Sequence, residues 1–409
     1  MKERAYPRAE VTRRGERSIR EGHPWVYHTE VTHWEGCISG ELTDVVSSRG
    51  SYLGTGFYNE HSKIRLRLIS RNANDAFDEA FFRRRLRHAW EYRKAVMGTG
   101  EDIRCCRLIF GEADFFPGLT VDRFDRILVA QVLSLGMELR KEMLFRLLVE
   151  ILREDGQEID GIYERNDVPI REREGLSQGK GFFPLEGEPI PAGTSTLLRE
   201  NGIAYQVDFE NGQKTGFFLD QKYNRQAVAR LSRGRRVLDC FTHTGSFALN
   251  AALGGAQSVH GVDVSEAAVE LAQSNARRNG LEDRITFQAA NVFDLLPSLP
   301  ENGQSGYDFI ILDPPAFTKS RQTVEHAARG YKEINLRAMK LLPRGGYLAT
   351  CSCSHFMTEP LFLGMLREAA ADASVSLRQI EARQQSPDHP ILWNVPETNY
   401  LKFYLFQVV

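Results

Sequence analysis

The stretch RRVLDCFTHTGSFALNAALGGAQSVHGVDV, residues 235–264, decides the fold. Val237 and Leu238 open a short apolar run that ends in Asp239; a turn of small and polar residues follows, and SFALNAAL then reads as a helix. The next apolar run, SVHGVDV, ends in Asp263. Strand, turn, helix and strand within roughly 30 residues make one βαβ unit, whose two strands run parallel. The rhythm continues downstream. SEAAVELAQSNARRNG reads as a helix with Ser265 as N-cap and Gly280 as its stop, and ITFQAAN, YDFIILDPPAF and GGYLATCSCS read as further strands with helical spacing between them. The prediction is an α/β domain with a mostly parallel, doubly wound sheet, ligands being held beyond the carboxyl ends of its strands.

Upstream, the pattern is different. Short strand-like runs punctuated by glycine, SYLGTGFYN and KIRLRLIS, suggest a small β-barrel-like module ending near residue 72. In the second run Ile64, Leu66 and Leu68 alternate with Arg65 and Arg67, so a half-buried strand with a basic wet face is expected, placed at a sheet edge that faces RNA. DEAFFRRRLRHAWEYRKAVMG then reads as a helix in which Phe77, Phe81, Leu86, Trp90 and Val96 follow the 3.6-residue period, with Gly98 as the stop. RLIFGEADFFPGLTVDRFDRILVAQVL looks like strands joined by turns, LRKEMLFRLLVEILRE like an amphipathic helix, and GIYERN like another strand. Gly and Pro crowd residues 175–193. The expected domains are therefore 1–72, a central α/β domain at 73–189, and the doubly wound domain at 190–409.

Bulk composition bounds the function. The 409 residues, 42% hydrophobic and 26% charged, suffice for a large core and two or three domains. No apolar run approaches the roughly 20 residues of a membrane span, and the charged start MKERAYPRAEVTRRGER has no apolar stretch behind it, so no membrane partner and a cytoplasmic location are expected. None of the 6 cysteines makes a C-x-x-C pair, so neither a disulfide scaffold nor a metal site is expected, and Cys105 and Cys106 read as small apolar residues. The net charge of −2 leaves attraction to nucleic acid to local patches. One comprises Lys2, Arg4, Arg8, Arg13, Arg14, Arg17 and Arg20; the other comprises Arg83, Arg84, Arg85, Arg87, Arg93 and Lys94 and reads equally well as a solvated helix face. A homodimer is left open by the sequence.

The strand ends carry the chemistry. Gly245 lets backbone approach a ligand at a helix amino terminus, and Asp263 can accept from both hydroxyls of a ribose, each bond contributing about 1.5–3 kcal/mol. A dinucleotide fold wants G-x-G-x-x-G to wrap a pyrophosphate; this loop has one glycine and better suits a methionine-bearing adenosine, S-adenosyl-L-methionine. Asn291, Val292 and Asp294 lie where an adenine would be held. Asp313-Pro-Pro-Ala-Phe317 brings a carboxylate able to accept from an exocyclic amine such as cytosine N4, and a ring able to stack on a base. Cys353, in the run Thr350-Cys-Ser-Cys-Ser354, is the discriminating residue. Carbon 5 of a pyrimidine is a poor nucleophile until a thiolate adds to carbon 6, whereas a base nitrogen needs no thiolate. A free thiol titrates near about 8.5, so its environment must favour the anion. Methylation at a purine nitrogen and a non-catalytic RNA-binding assembly factor are the competing readings.

GHPWVY (22–27), KTGFFLDQKYNR (214–225), DCFTHTGSFA (239–248), DPPAF (313–317), SCS (352–354) and DHP (388–390) together resemble the RlmI-type 23S ribosomal RNA cytosine-C5 methyltransferases, over almost the whole chain. The resemblance implies an amino-terminal PUA domain for RNA binding, a central α/β domain and a Rossmann-like class I methyltransferase domain. It maps the nucleophile onto Cys353, with Asp313 beside it, and the cofactor loop onto Asp239 to Gly245, including Phe241, Thr242 and Thr244. With Asp263, Val264, Asn291, Val292 and Asp313 these complete the expected cofactor set. The second cysteine that many such enzymes carry after the fourth-strand proline is absent, Pro315 or Ala316 standing there. Cys351 could substitute or simply pack; the base for the C5 proton is open among Asp313, His355, His389 and water.

Overall fold

The structure, a computed structural model, describes residues 4–318 and 320–409, the side chain of Arg321 excepted. Lys2 of the amino-terminal basic patch lies outside the described residues. Two compact units are formed. The first takes the described residues up to Arg199 with Val207–Leu219 and Pro387–Thr398; the second takes Glu200–Gln206, Asp220–Ser386 and Asn399–Val409.

In the first unit a six-stranded sheet precedes a five-stranded one. The six-stranded sheet closes over Val11, Ile19, Val26, Val45, Leu66 and Leu68, so the alternation read at 64–68 does set the buried face. Its opposite face corrects the expectation. The strand Ile64–Ser70 lies between Trp25–Tyr27 and Tyr52–Tyr58, inside the sheet and not at its edge. Arg67 is only 9% exposed, its guanidinium 2.8 Å from Glu174 and 3.4 Å from Glu112. Carboxylates far along the chain neutralise Arg67, while Arg65, the other cation of the wet face that alternation presents, donates to the Asn59 carbonyl at 3.1 Å.

The helix Glu79–Met97 starts where Asp78 accepts from the Phe81 amide at 2.9 Å and stops at Gly98, with φ 73°. Met97, not Val96, takes the last buried position. Arg93 is fully buried and paired in a fork with Asp114 at 2.5 and 2.7 Å. Arg83 and Arg87 pair with Glu150 and Glu154, and Lys94 with Glu91 and Asp155. Among the described residues only Arg84 and Arg85 of this patch lack an ion pair.

The second unit holds a seven-stranded sheet. Its strands are β1 (Arg236–Cys240), β2 (Ser258–Asp263), β3 (Ile285–Ala289), β4 (Phe309–Leu312), β5 (Tyr347–Ser352), β6 (Leu377–Arg383) and β7 (Lys402–Val408), in the order β3-β2-β1-β4-β5-β7-β6. The first five pair in parallel, as their βαβ spacing requires, and β7 pairs antiparallel with both β5 and β6. Leu238, Val262, Ile310, Leu312 and Leu348 join helix residues such as Ile334 and Phe362 in one core. No helix among the described residues is long and apolar enough to cross a membrane.

A buried ion pair braces this unit. Arg225, on the helix Lys222–Leu231, donates to Glu200 at 2.6 Å, with both side chains almost wholly out of solvent. Removing the carboxylate leaves a buried cation, so Glu200→Ala is expected to cost about 3–5 kcal/mol in denaturant unfolding, whereas an exposed pair such as Arg17 with Glu21 should cost under about 1 kcal/mol.

Candidate active site

Parallel register brings three strand ends to one rim: Leu312 of β4 pairs with Cys240 of β1 on one side and with Thr350 of β5 on the other. Asp239, Asp313 and Cys353 sit at or just beyond these ends. The loop after β1 is coiled tightly, with left-handed backbone at Phe241, His243 and Gly245 (φ 65°, 50° and 82°). Such conformations in non-glycine residues are costly and gather at ligand sites. A Cβ at position 245 would also stand 3.0 Å from both Ala272 Cβ and Phe287 Cζ, so backbone conformation and space both favour glycine there.

Asp239 is buried. Its Oδ2 accepts from the Thr242 hydroxyl at 2.6 Å and the Ala248 amide at 2.9 Å, while Oδ1 has no hydrogen-bond partner. Burial pushes its pKa up to about 7 against those two hydrogen bonds, with Asp313 and Asp263 adding to the rise. Thr244 Oγ1 is likewise buried and unpartnered. Asp263 accepts from the His243 amide at 2.9 Å and the Ser265 amide at 3.0 Å, which leaves one lone-pair direction on each oxygen. Val264 beyond it is 76% exposed. Asn291 is exposed and caps the helix Val292–Ser298 by accepting from the Phe293 amide at 3.0 Å; the Val292 side chain is 2% exposed in the core, so only its main chain faces a ligand. An anion-bearing recess with an orphaned oxygen, a second carboxylate beyond β2 and an open rim after β3 fit the ammonium, ribose and adenine of an S-adenosylmethionine.

Asp313 receives a hydrogen bond from Gln221 at 2.9 Å; Gln221 is held by Asn224 at 2.6 Å, and Asn224 by Arg383 at 3.1 Å. Burial, helped by the Asp220 carboxylate, pushes the Asp313 pKa up to about 6, against the pull of Arg225 and of bonds from Gln221 and Cys351. Phe317 is half-buried, its ring centroid 4.6 Å from Tyr331 and 5.7 Å from Phe293.

The two cysteines of β5 differ. Cys351 is fully buried against Asp313, and burial drives its thiol well above the ordinary range. Cys353 is half-buried just past the strand. Opposite it, Lys402 pairs in register with Ser352, and its Nζ donates to the carbonyls of Ser354 at 2.6 Å and Tyr400 at 2.8 Å. Burial lowers the ammonium to about 8, opposed by the nearby Cys353 sulfur and the Glu359 carboxylate. His355 is exposed; His389 belongs to the first unit, where it is buried with Nδ1 3.0 Å from Asp388 and its ring 5.5 Å from Phe110. Gln221, Asn224 and Lys402 escaped the sequence reading. The first two lie in KTGFFLDQKYNR without a readable role, and a lysine opening the apolar run KFYLFQV was the one signal of the third.

Residues 182–407 match the family model of the S-adenosylmethionine-dependent methyltransferases, and residues 10–71 that of a PUA-like domain. The chain belongs to the S-adenosylmethionine-dependent methyltransferase family, and S-adenosyl-L-methionine is its cofactor. Its fold is a Rossmann-like class I methyltransferase domain preceded by a PUA-like domain and a central α/β domain. Within that class it belongs with the proteins named ribosomal RNA large subunit methyltransferase I: it is 38% identical over 411 residues to the one from Klebsiella pneumoniae (strain 342), covering 100% of both chains. It is also 38% identical to the one from Salmonella paratyphi B, covering 99% of this chain and 98% of the relative. A solved SAM-dependent methyltransferase from Streptococcus mutans shares the fold with a TM-score of 0.79 at 21% identity, over 98% of this chain and 99% of that one.

The cationic cofactor should favour ionised Asp239. Calorimetric titration of S-adenosylmethionine between about pH 6 and pH 8 should show affinity falling as pH drops through the carboxyl's pKa of about 7, by up to about tenfold per unit, and Asp239→Asn should bind weakly without that slope.

Proposed function

We propose that the chain transfers a methyl group from S-adenosyl-L-methionine to C5 of a cytosine in 23S ribosomal RNA through a covalent bond between Cys353 and C6. The observation that carries this reading is a half-buried thiol at the end of β5 with a buried ammonium, Lys402, on the adjoining strand. A methyl transfer to nitrogen has no use for either group. The names of the relatives, which act on large-subunit ribosomal RNA, support the choice of substrate.

The cofactor supplies an electrophilic methyl group. Lys402 favours the Cys353 thiolate, which adds to C6 and moves the C5–C6 π pair onto C5; that pair would form the new bond to the methyl carbon as the bond from methyl to the donor's sulfur breaks, its electrons staying on that sulfur as a neutral thioether. Asp313, held in place by Gln221, accepts from the cytosine N4 amine and orients the ring. Water at the open rim takes the C5 proton; the released pair restores the double bond and expels the thiolate. Cys351 stays protonated throughout because it is buried beside a carboxylate. The target base must be unstacked to enter.

Cys353→Ala should keep cofactor binding while methyl transfer to unmodified 23S ribosomal RNA falls by about 10³-fold or more, and nucleoside mass spectrometry of the wild-type product should show 5-methylcytosine. An N-methylated purine, or full activity in the alanine variant, sinks the proposal.

Removing the cation should raise the thiol pKa. In Lys402→Met the acid limb of the rate–pH profile should therefore move up by about one unit, the equivalent of about 1.4 kcal/mol, with Lys402→Arg returning part of it. An unmoved limb in a variant that still binds cofactor removes Lys402 from the mechanism.

A further inference from the structure

In the first unit, the helix Glu79–Met97 and the turn Gly111–Asp114 border a cavity of about 450 Å³ that the methyl-transfer chemistry does not use. Its walls are aromatic and basic. Phe115 is 46% exposed on a left-handed backbone, φ 62° and ψ 31°, a conformation that bulky residues rarely adopt. The Arg85 guanidinium lies 5.0 Å from the Phe115 ring and 4.5 Å from the Phe81 ring, and its buried Nη1 has no hydrogen-bond partner. Arg84 and His88 stand exposed on the same wall.

Of the two acids at the cavity, Asp114 is ion-paired elsewhere, and Asp75 is held by neutral donors while its charge offsets part of that of Arg85. Asp114 holds buried Arg93 and accepts from the Phe110 amide at 2.6 Å, and Asp75 accepts from Ser70 at 2.6 Å and Asn72 at 3.1 Å. The two arginines left without ion pairs on an otherwise neutralised helix thus face this one hollow.

We propose that the cavity binds one unstacked nucleotide of single-stranded RNA, its base against the Phe115 ring and its phosphate on Arg84 and Arg85. The inference rests on the RNA substrate argued above. A planar base meets the exposed Phe115 ring, and a phosphate oxygen meets the exposed Arg84 guanidinium, with the charge of Arg85 beside it. An acidic peptide would meet the same cations but would give the rings of Phe115 and Tyr92 no flat partner.

The test is binding of an unmodified 23S ribosomal RNA transcript, and separately of a poly-glutamate peptide, to the full chain. Phe115→Ala and Arg85→Met should each weaken RNA binding about 5- to 100-fold, Phe115→Trp should restore it, and Arg84→Gln should lower the salt slope by about 0.7, all with cofactor affinity unchanged. RNA binding at wild-type strength in both Phe115→Ala and Arg85→Met overturns the cavity's role and leaves the substrate reading standing. Loss of poly-glutamate binding alone in those variants reassigns the cavity to an acidic protein partner and overturns it. Failure of the wild type to bind the transcript overturns both.

Discussion

Parallel pairing of β1, β4 and β5 is the constraint on which the site depends. Because Leu312 is flanked by Cys240 and Thr350, the chain has no freedom in where its next polar residues emerge: Asp313 leaves the sheet beside the β1 loop and one strand from Cys353. A one-residue slip would turn every side chain of a strand to the other face, so the apolar pattern that fills the core also aims the reactive groups. The loop after β1 can hold three left-handed residues only because the sheet and the helix Ser246–Leu253 anchor both its ends.

Burial then sets the chemistry of each group. Asp239, Asp313 and Cys351 are all pushed toward their neutral forms, and in each case the low-polarity surroundings are the leading cause. Lys402 is pushed the same way and still keeps its charge near neutrality. The result is a rim where one sulfur sits by a cation and the other by an acid, so two cysteines two residues apart have opposite chemical prospects.

What could be read from the sequence follows from the range of the interactions. Asp239, Asp263, Asp313 and Cys353 were visible because polar residues ending apolar runs mark strand ends, a local signal. The helix Glu79–Met97 was visible through its period and its stop, but not the fate of its charges. Arg93 is buried by Asp114, and Arg83 and Arg87 are neutralised from the helix Lys141–Glu154, contacts that no window of neighbouring residues contains. The same holds for Arg67, whose partners stand 45 and 107 positions away. Gln221 and Lys402 were hidden for a topological reason: the first reaches Asp313 from outside the sheet, and the second arrives on an antiparallel strand that no βαβ rhythm announces.

That antiparallel strand has a consequence for how the enzyme comes into being. β7 slots between β5 and β6, and its pairs with β5 join residues 50 to 60 positions apart, so a loop that contains β6 must close before the two strands meet. Lys402 arrives on that strand, so the sulfur of Cys353 has this ammonium beside it only once β7 has docked against β5.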